Sequence, residues 1–260
     1  MAVAHGSRDP RAAATVSELL EVVRERARGL DVRAAFLDHC APSLPQALGS
    51  LDDRPAVVVP LLLTAAYHSK TDIPARLAEA AAARPGLTVA STGTLGPHPR
   101  LTTALERRLA EAGVAVGDPA ARAATSVVLA AAGSSDPAAN ATIAALAARW
   151  QRERGWRAVL PAYASAAGPR PAEAVAALRS AESSTAGDGP VVVATYLLAP
   201  GYFADKVRDA ALHAGAVAVS GVLGAAPEVA DTVIERYLDA VRAARPDRAP
   251  SRLAAVGAWS

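Results

Sequence analysis

His5-Gly6-Ser7-Arg8-Asp9-Pro10 returns as Ala132-Gly133-Ser134-Ser135-Asp136-Pro137, from position 5 to position 132, so the chain carries two copies of one unit offset by 127 positions. Two copies of one fold need the same turn and core residues, and a difference between copies therefore separates packing from chemistry. Glycine, serine, aspartate and proline persist in the second copy, and the imidazole does not. The same loss occurs downstream, where Val57-Val58-Val59 leads to Tyr67-His68-Ser69-Lys70 but Val191-Val192-Val193 leads to Tyr202-Phe203-Ala204-Asp205. Phe36-x-Asp38 with Pro42 aligns with Tyr163-x-Ser165 with Pro169 at the same offset. Subtracting one copy from the other leaves His5, Asp38 and His68 as the candidate functional side chains.

In each half, short β-branched runs alternate with longer Ala-, Leu-, Glu- and Arg-rich stretches at helical spacing, the pattern of a parallel sheet flanked by helices. It predicts strands near residues 1–4, 31–37, 56–62 and 87–91, with partners near 126–132, 157–163, 190–197 and 216–222. Asp9 is placed to cap a helix over 10–28 with Pro10 in its first turn, and Asp136-Pro137 repeats that signal. The fold class is α/β, two tandem flavodoxin-like domains over 1–115 and 125–245, each with a four-stranded parallel sheet and its own core, followed by a tail at 246–260. The Gly- and Pro-containing stretch 113–124 reads as the joint and the Ser/Gly-rich stretch 181–190 as a surface loop. The first strand has about four residues against about seven in its partner, the pattern of a start assigned too late.

Several function classes drop out on composition. Of the 260 residues, 52% are hydrophobic and 4% aromatic, which suits helices packed tightly on a sheet. Cys40 is the sole cysteine, so an intramolecular disulfide or a Cys-rich metal cluster is excluded and a reducing cytoplasm fits best. No apolar stretch reaches the roughly 20 residues of a membrane span, and no export signal opens the chain. The net charge is +2 and no basic stripe with interleaved aromatics appears, which argues against nucleic acid as a partner.

In an open parallel sheet, ligands collect at the carboxyl ends of the strands. His5, Asp38 and His68 all follow such ends. Two imidazoles and one carboxylate form a donor set suited to Fe(II), Co(II), Ni(II) or Zn(II) and poorly suited to Mg(II) or Ca(II). Histidine also accepts a proton near cellular pH. Ser7 and Arg8 sit on the strand-to-helix turn, where backbone N–H groups and the helix end favour an anion. Ser7 has the counterpart Ser134, whereas Arg8 is replaced by Ser135, which makes Arg8 the better partner for a substrate carboxylate. Lys70, before a helix start at Thr71-Asp72, invites the same reading. Asp38-His39-Cys40 resembles a metal cluster, but adjacent strand residues point to opposite faces, so Cys40 is expected to be a small buried residue. His98 is expected in an exposed loop bordering the cleft at most, and His213 on a helix without supporting company.

His5-Gly6-Ser7-Arg8, Phe36-Leu37-Asp38 with Pro42-Ser43-Leu44, and the long segment from Pro60 through Tyr67-His68-Ser69-Lys70-Thr71-Asp72-Ile73-Pro74 together resemble the sirohydrochlorin chelatases, the class II tetrapyrrole chelatases, in their long two-domain form. The resemblance implies chelatase-like domains similar to ferrochelatase. It implies insertion of Co(II) or Fe(II) into sirohydrochlorin, on the route to cobalamin or to siroheme, with the divalent metal (Co or Fe, possible also for Ni) as substrate and no organic cofactor. It also implies a metal site in the first half at His5, His68 and Asp38, where the family commonly has glutamate in place of the shorter Asp38. Such a chain is expected to be cytoplasmic, without membrane or nucleic-acid partners, and a monomer whose halves mimic a dimer. The alternative is a metal- or tetrapyrrole-binding carrier using the same three ligands. A histidine phosphatase, which needs an arginine immediately before its histidine, is disfavoured by Ala4.

Overall fold

The computed structural model describes residues 1–51, 55–65, 71–182 and 189–244. The expected tail at 246–260 and most of the 181–190 loop lie outside the described residues, as do His68 and Lys70. The first half runs β1 (Ala2–Ala4), α1 (Pro10–Arg26), β2 (Ala34–Phe36), α2 (Leu44–Gly49), β3 (Ala56–Pro60), α3 (Ile73–Ala83), β4 (Val89–Ser91) and α4 (Pro99–Glu111). After α5 (Pro119–Ala124), the second half runs β5 (Ser126–Ala131), α6 (Pro137–Arg154), β6 (Ala158–Tyr163), α7 (Pro171–Glu182), β7 (Val191–Tyr196), α8 (Tyr202–His213), β8 (Ala218–Val219) and α9 (Pro227–Ala244).

Both sheets are parallel and four-stranded, with orders β2-β1-β3-β4 and β6-β5-β7-β8. The duplication read from sequence is thus a duplication of topology. β5 and β7 are buried along their whole length, as expected of central parallel strands covered on both faces. The start signals act as anticipated: the Asp9 carboxylate accepts from the Arg11 amide at 2.9 Å and the Asp136 carboxylate from the Ala138 amide at 2.9 Å, each with proline in the first turn. The first strand has three residues and its counterpart six.

Two expectations need correction. The joint is not a bare linker, because Asp118-Pro119 repeats the same cap signal and opens α5. Nor is the core divided between the halves, since each half keeps a smaller core of its own and shares the largest one. The largest buried cluster runs through both halves, from Leu19, Leu101 and Leu105 to Trp150, Tyr196 and Val229. Smaller clusters lie within each half, around Val3, Leu44 and Val58 in the first and Val128, Val175 and Val193 in the second. The physical reason is an exchange of terminal helices: α4 of the first half packs on β7, and α9 of the second half packs on β3.

Ion pairs rim this shared core. Arg26 meets Asp231 at 2.6 Å, Arg100 meets Glu235 at 3.0 Å and Arg107 meets Glu228 at 2.6 Å, all between the first half and α9. Burial alone raises the Glu228 pKa, but the Arg107 hydrogen bond and the residue's own N–H outweigh it and hold the carboxyl below the usual range. The Arg100 hydrogen bond holds Glu235 low as well. A depressed folded pKa adds stability above the unfolded value near 4, and that stability is lost as pH falls through the depressed value. Glu228→Gln with Glu235→Gln is therefore expected to cost about 1 kcal/mol at pH 7. In urea melts the variant and the parent should converge at pH 3.

Candidate functional site

β1 delivers His5 to the carboxyl edge of the first sheet, and the turn behind it is fixed by a close backbone approach. Gly6 has φ +92°, and a Cβ there would overlap the Asp38 carbonyl oxygen, so only glycine lets the β1 and β2 ends come together. The Asp38 amide in turn donates to the His5 carbonyl at 2.9 Å. The second copy keeps this frame: Gly133 has φ +83°, a Cβ there would overlap the Ser165 carbonyl, and the Ser165 amide donates to the Ala132 carbonyl at 2.9 Å. Identical backbone therefore carries imidazole and carboxylate in one copy, and Ala132 and Ser165 in the other.

The strand ends of both halves wall one cleft of about 640 Å³. Its lining includes His5, Ser7 and Arg8 from the β1 turn, Leu61 to Thr64 after β3, Ala132 to Ser134 after β5, and Leu197 to Ala204 after β7. Volume and placement suit a ligand site at a topological switch point, here doubled by the repeat. No helix among the described residues is long and apolar enough to cross a membrane.

Three of the anticipated residues line this cleft. His5 is exposed, and its Nδ1 lies 3.0 Å from the Gly6 carbonyl, an acceptor, so Nδ1 donates and Nε2 carries the lone pair of the neutral ring. Ser7 lines the cleft while its hydroxyl accepts from the Asp9 amide at 3.1 Å, as Ser134 does from Asp136 at 3.0 Å, so it also serves the turn. Arg8 is exposed on the wall. Asp38 stands apart: it is exposed, is not among the lining residues, and its carboxylate turns onto its neighbour. Among the described residues, no group of three His, Cys, Asp or Glu side chains is gathered for a metal ion.

That neighbour, His39, set aside as a ligand in the sequence reading of Asp38-His39-Cys40, lines the cleft. Its amide donates to Asp38 Oδ1 at 2.8 Å, its Nε2 lies 3.4 Å from Oδ2, and its ring lines the cleft. β2 has ended at Phe36 and His39 adopts φ +60°, and of Asp38 and His39 only the latter lines the cleft. Cys40 is half-buried rather than buried, with its thiol donating to the Ser7 carbonyl at 3.2 Å. His98 does not border the cleft: it caps α4, its Nδ1 accepting from the Arg100 amide at 3.3 Å and its Nε2 lying 3.4 Å from Glu235. His213 lies on α8 and donates to the Asp209 carbonyl at 2.7 Å.

The model of the CbiX family matches residues 1–112 and 126–240, that is, both copies. The chain belongs to the CbiX family. Sirohydrochlorin ferrochelatase of Bacillus subtilis (strain 168) is 26% identical over 241 residues, covering 90% of this chain and 88% of that protein. Sirohydrochlorin cobaltochelatase of Priestia megaterium is 31% identical over 145 residues, 54% of this chain and 46% of the relative. Among solved structures, SirB from Bacillus subtilis with Fe3+ superposes with a TM-score of 0.78 at 23% identity, over 93% of this chain and 95% of that one. SirB from Bacillus subtilis subspecies spizizenii in complex with cobalt gives 0.73 at 21% identity, over 94% of each chain. These likenesses establish the chelatase-like fold. In this CbiX chain, the family-matched copies are the two halves whose strand ends meet across the cleft, and among the described residues the imidazoles lining it come from the first.

Proposed function

We propose that this chain inserts a divalent metal ion, Co(II) or Fe(II), into sirohydrochlorin. The observation that carries the reading is His5, fixed at a strand end on the wall of a cleft that both copies enclose, with alanine at the equivalent place in the copy that needs no chemistry. The names of the two curated relatives, one a ferrochelatase and one a cobaltochelatase, support the same substrate.

Insertion exchanges two pyrrole N–H protons for one metal ion, so the site must hold the ion, strip its water and accept protons. His5 Nε2 and His68 are the assigned metal donors, and one of them is assigned to take the pyrrole protons. Asp38, paired with His39 beside the cleft, is assigned to orient or neutralise. Arg8, Lys70 and the Ser7 turn are assigned to the carboxylates of the macrocycle. The metal is a substrate, and no organic cofactor takes part. A cytoplasmic setting on a cobalamin or siroheme route follows from the same assignment.

Purified protein mixed with sirohydrochlorin and Co(II) or Fe(II) is expected to show the absorbance change of metal insertion well above the spontaneous rate, and to metallate many equivalents of macrocycle. Saturation at one equivalent per protein would establish a carrier instead. The faster of the two metals under matched free-ion concentrations identifies the activity.

A further inference from the structure

We infer that the second half is the substrate-holding half, with Tyr202 and Phe203 forming the surface on which the flat face of the macrocycle rests. This rests on the proposed chelatase reading and adds to it residues from the copy that lost its metal donors. The repeat comparison gives the first argument. Where that copy loses His5 and His39 it holds Ala132 and Ala166, side chains with nothing to offer, but opposite His68 it holds Phe203, a larger apolar ring. Simple decay does not require a ring there.

Exposure gives the second. Tyr202 is 71% exposed and Phe203 40% exposed, two of the few large apolar side chains left open to solvent, and both line the cleft. Their ring centroids are 5.7 Å apart at an interplanar angle of 56°, so they form one aromatic patch rather than two isolated side chains. Contiguous exposed apolar surface of this kind marks a place where something docks. A flat, apolar-faced ring system with a charged periphery matches it, because Lys206 lies on the next turn of α8 with its ammonium 5.9 Å from the Tyr202 ring, and Arg8 stands on the facing wall. Both cations are suited to the carboxylates that project from such a ring.

The patch is also held in place. Asp205, on the first turn of α8, pairs with Arg11 of α1 at 2.6 Å, and Arg11 pairs again with Asp9 at 2.6 Å. The position that is Lys70 in the first copy has become the anchor that ties the aromatic turn to the half bearing His5. Arg11 and Asp205 are thus positioning residues for the patch.

The test is a Tyr202→Ala/Phe203→Ala variant of the full chain, both positions being exposed enough for folding to survive, which far-UV circular dichroism checks. In the insertion assay the KM for sirohydrochlorin is expected to rise about 10-fold or more, with kcat changed less than about 3-fold and the affinity for Co(II) alone unchanged. Tyr202→Phe/Phe203→Tyr, which keeps the rings, is expected to restore the parental KM. An unchanged KM in the alanine variant would overturn the assignment, as would a fall in Co(II) affinity equal to the rise in KM. If the parent protein shows no turnover, the chelatase reading fails separately, and equilibrium dialysis of metal-free sirohydrochlorin decides the patch: binding by the parent that the alanine variant loses sustains it, and equal or no binding by both removes it.

Discussion

Replacing His5 and His68 together by alanine is expected to lower the catalysed rate of Co(II) insertion by about 100-fold or more, toward the spontaneous rate. Both imidazoles are assigned to hold the ion while its water leaves, and one of them, once it has released the ion, to accept a pyrrole proton. For His5 the local geometry is consistent with the first task. Its Nδ1 lies 3.0 Å from the Gly6 carbonyl, an acceptor, which in the neutral ring favours the tautomer with the lone pair on Nε2. Removing the ring takes nothing from the core, because His5 is exposed and Ala132 occupies the same backbone in the second copy without disturbing the turn. His5→Ala alone should therefore melt like the parent, and a thermal melt of the double variant run beside the rate assay separates a loss of chemistry from a loss of fold. Equal rates in parent and variant would reject these residues as the catalysts. His5→Ala alone should weaken Co(II) binding, measured by titration calorimetry without macrocycle. Tyr202→Ala/Phe203→Ala should leave that affinity alone, so the two halves of the cleft separate by experiment.

Much of this architecture was legible because the cues are local. Asp9-Pro10, Asp136-Pro137 and Asp118-Pro119 are three spellings of one helix start, each realised by a carboxylate accepting from an amide two residues on. The third was overlooked because it fell in a stretch read as a joint. The strands matched their hydrophobic runs, trimmed at the ends to where parallel pairing holds. What was not legible is partnership at a distance. Periodicity says that Leu101, Leu105 and Leu109 are buried, not that they pack in a cluster with Val127 and Val192 of the other half. The helix exchange that joins the halves leaves no local mark.

The candidate site divides in the same way. Comparing the copies singles out His5, and the structure places it on the cleft wall. His39 also differs between copies, since position 39 maps onto Ala166 at the same offset, and it lies beyond the end of β2, where strand alternation says nothing of its direction. Asp38 shows the converse. It passes the repeat test, yet its side chain lies outside the cleft lining and is occupied with His39. A difference between copies identifies residues released from a shared packing duty, and only geometry says whether each reaches the ligand or acts through a neighbour.

Gly6→Ala is expected to be the most damaging single-methyl change in the first half. Two costs add there. An alanine at φ +92° enters the left-handed region at about 1–2 kcal/mol, and its Cβ would overlap the Asp38 carbonyl oxygen, backbone that has no soft route away. Together they should cost about 3 kcal/mol or more, which in a chain of this size lowers Tm by roughly 6–10 °C. Gly29→Ala separates the two terms, because Gly29 has φ +86° but nothing within 4 Å of an added Cβ, so it should show the conformational cost alone. If the two variants melt together, the close approach of the β1 and β2 ends contributes nothing. Gly133→Ala provides a matched control in the second copy, with a similar φ and a similar overlap at the Ser165 carbonyl. It should destabilise to a comparable degree, but only Gly6→Ala displaces the strand end that bears His5. At a temperature where both variants remain folded, Gly6→Ala should therefore weaken Co(II) binding while Gly133→Ala does not.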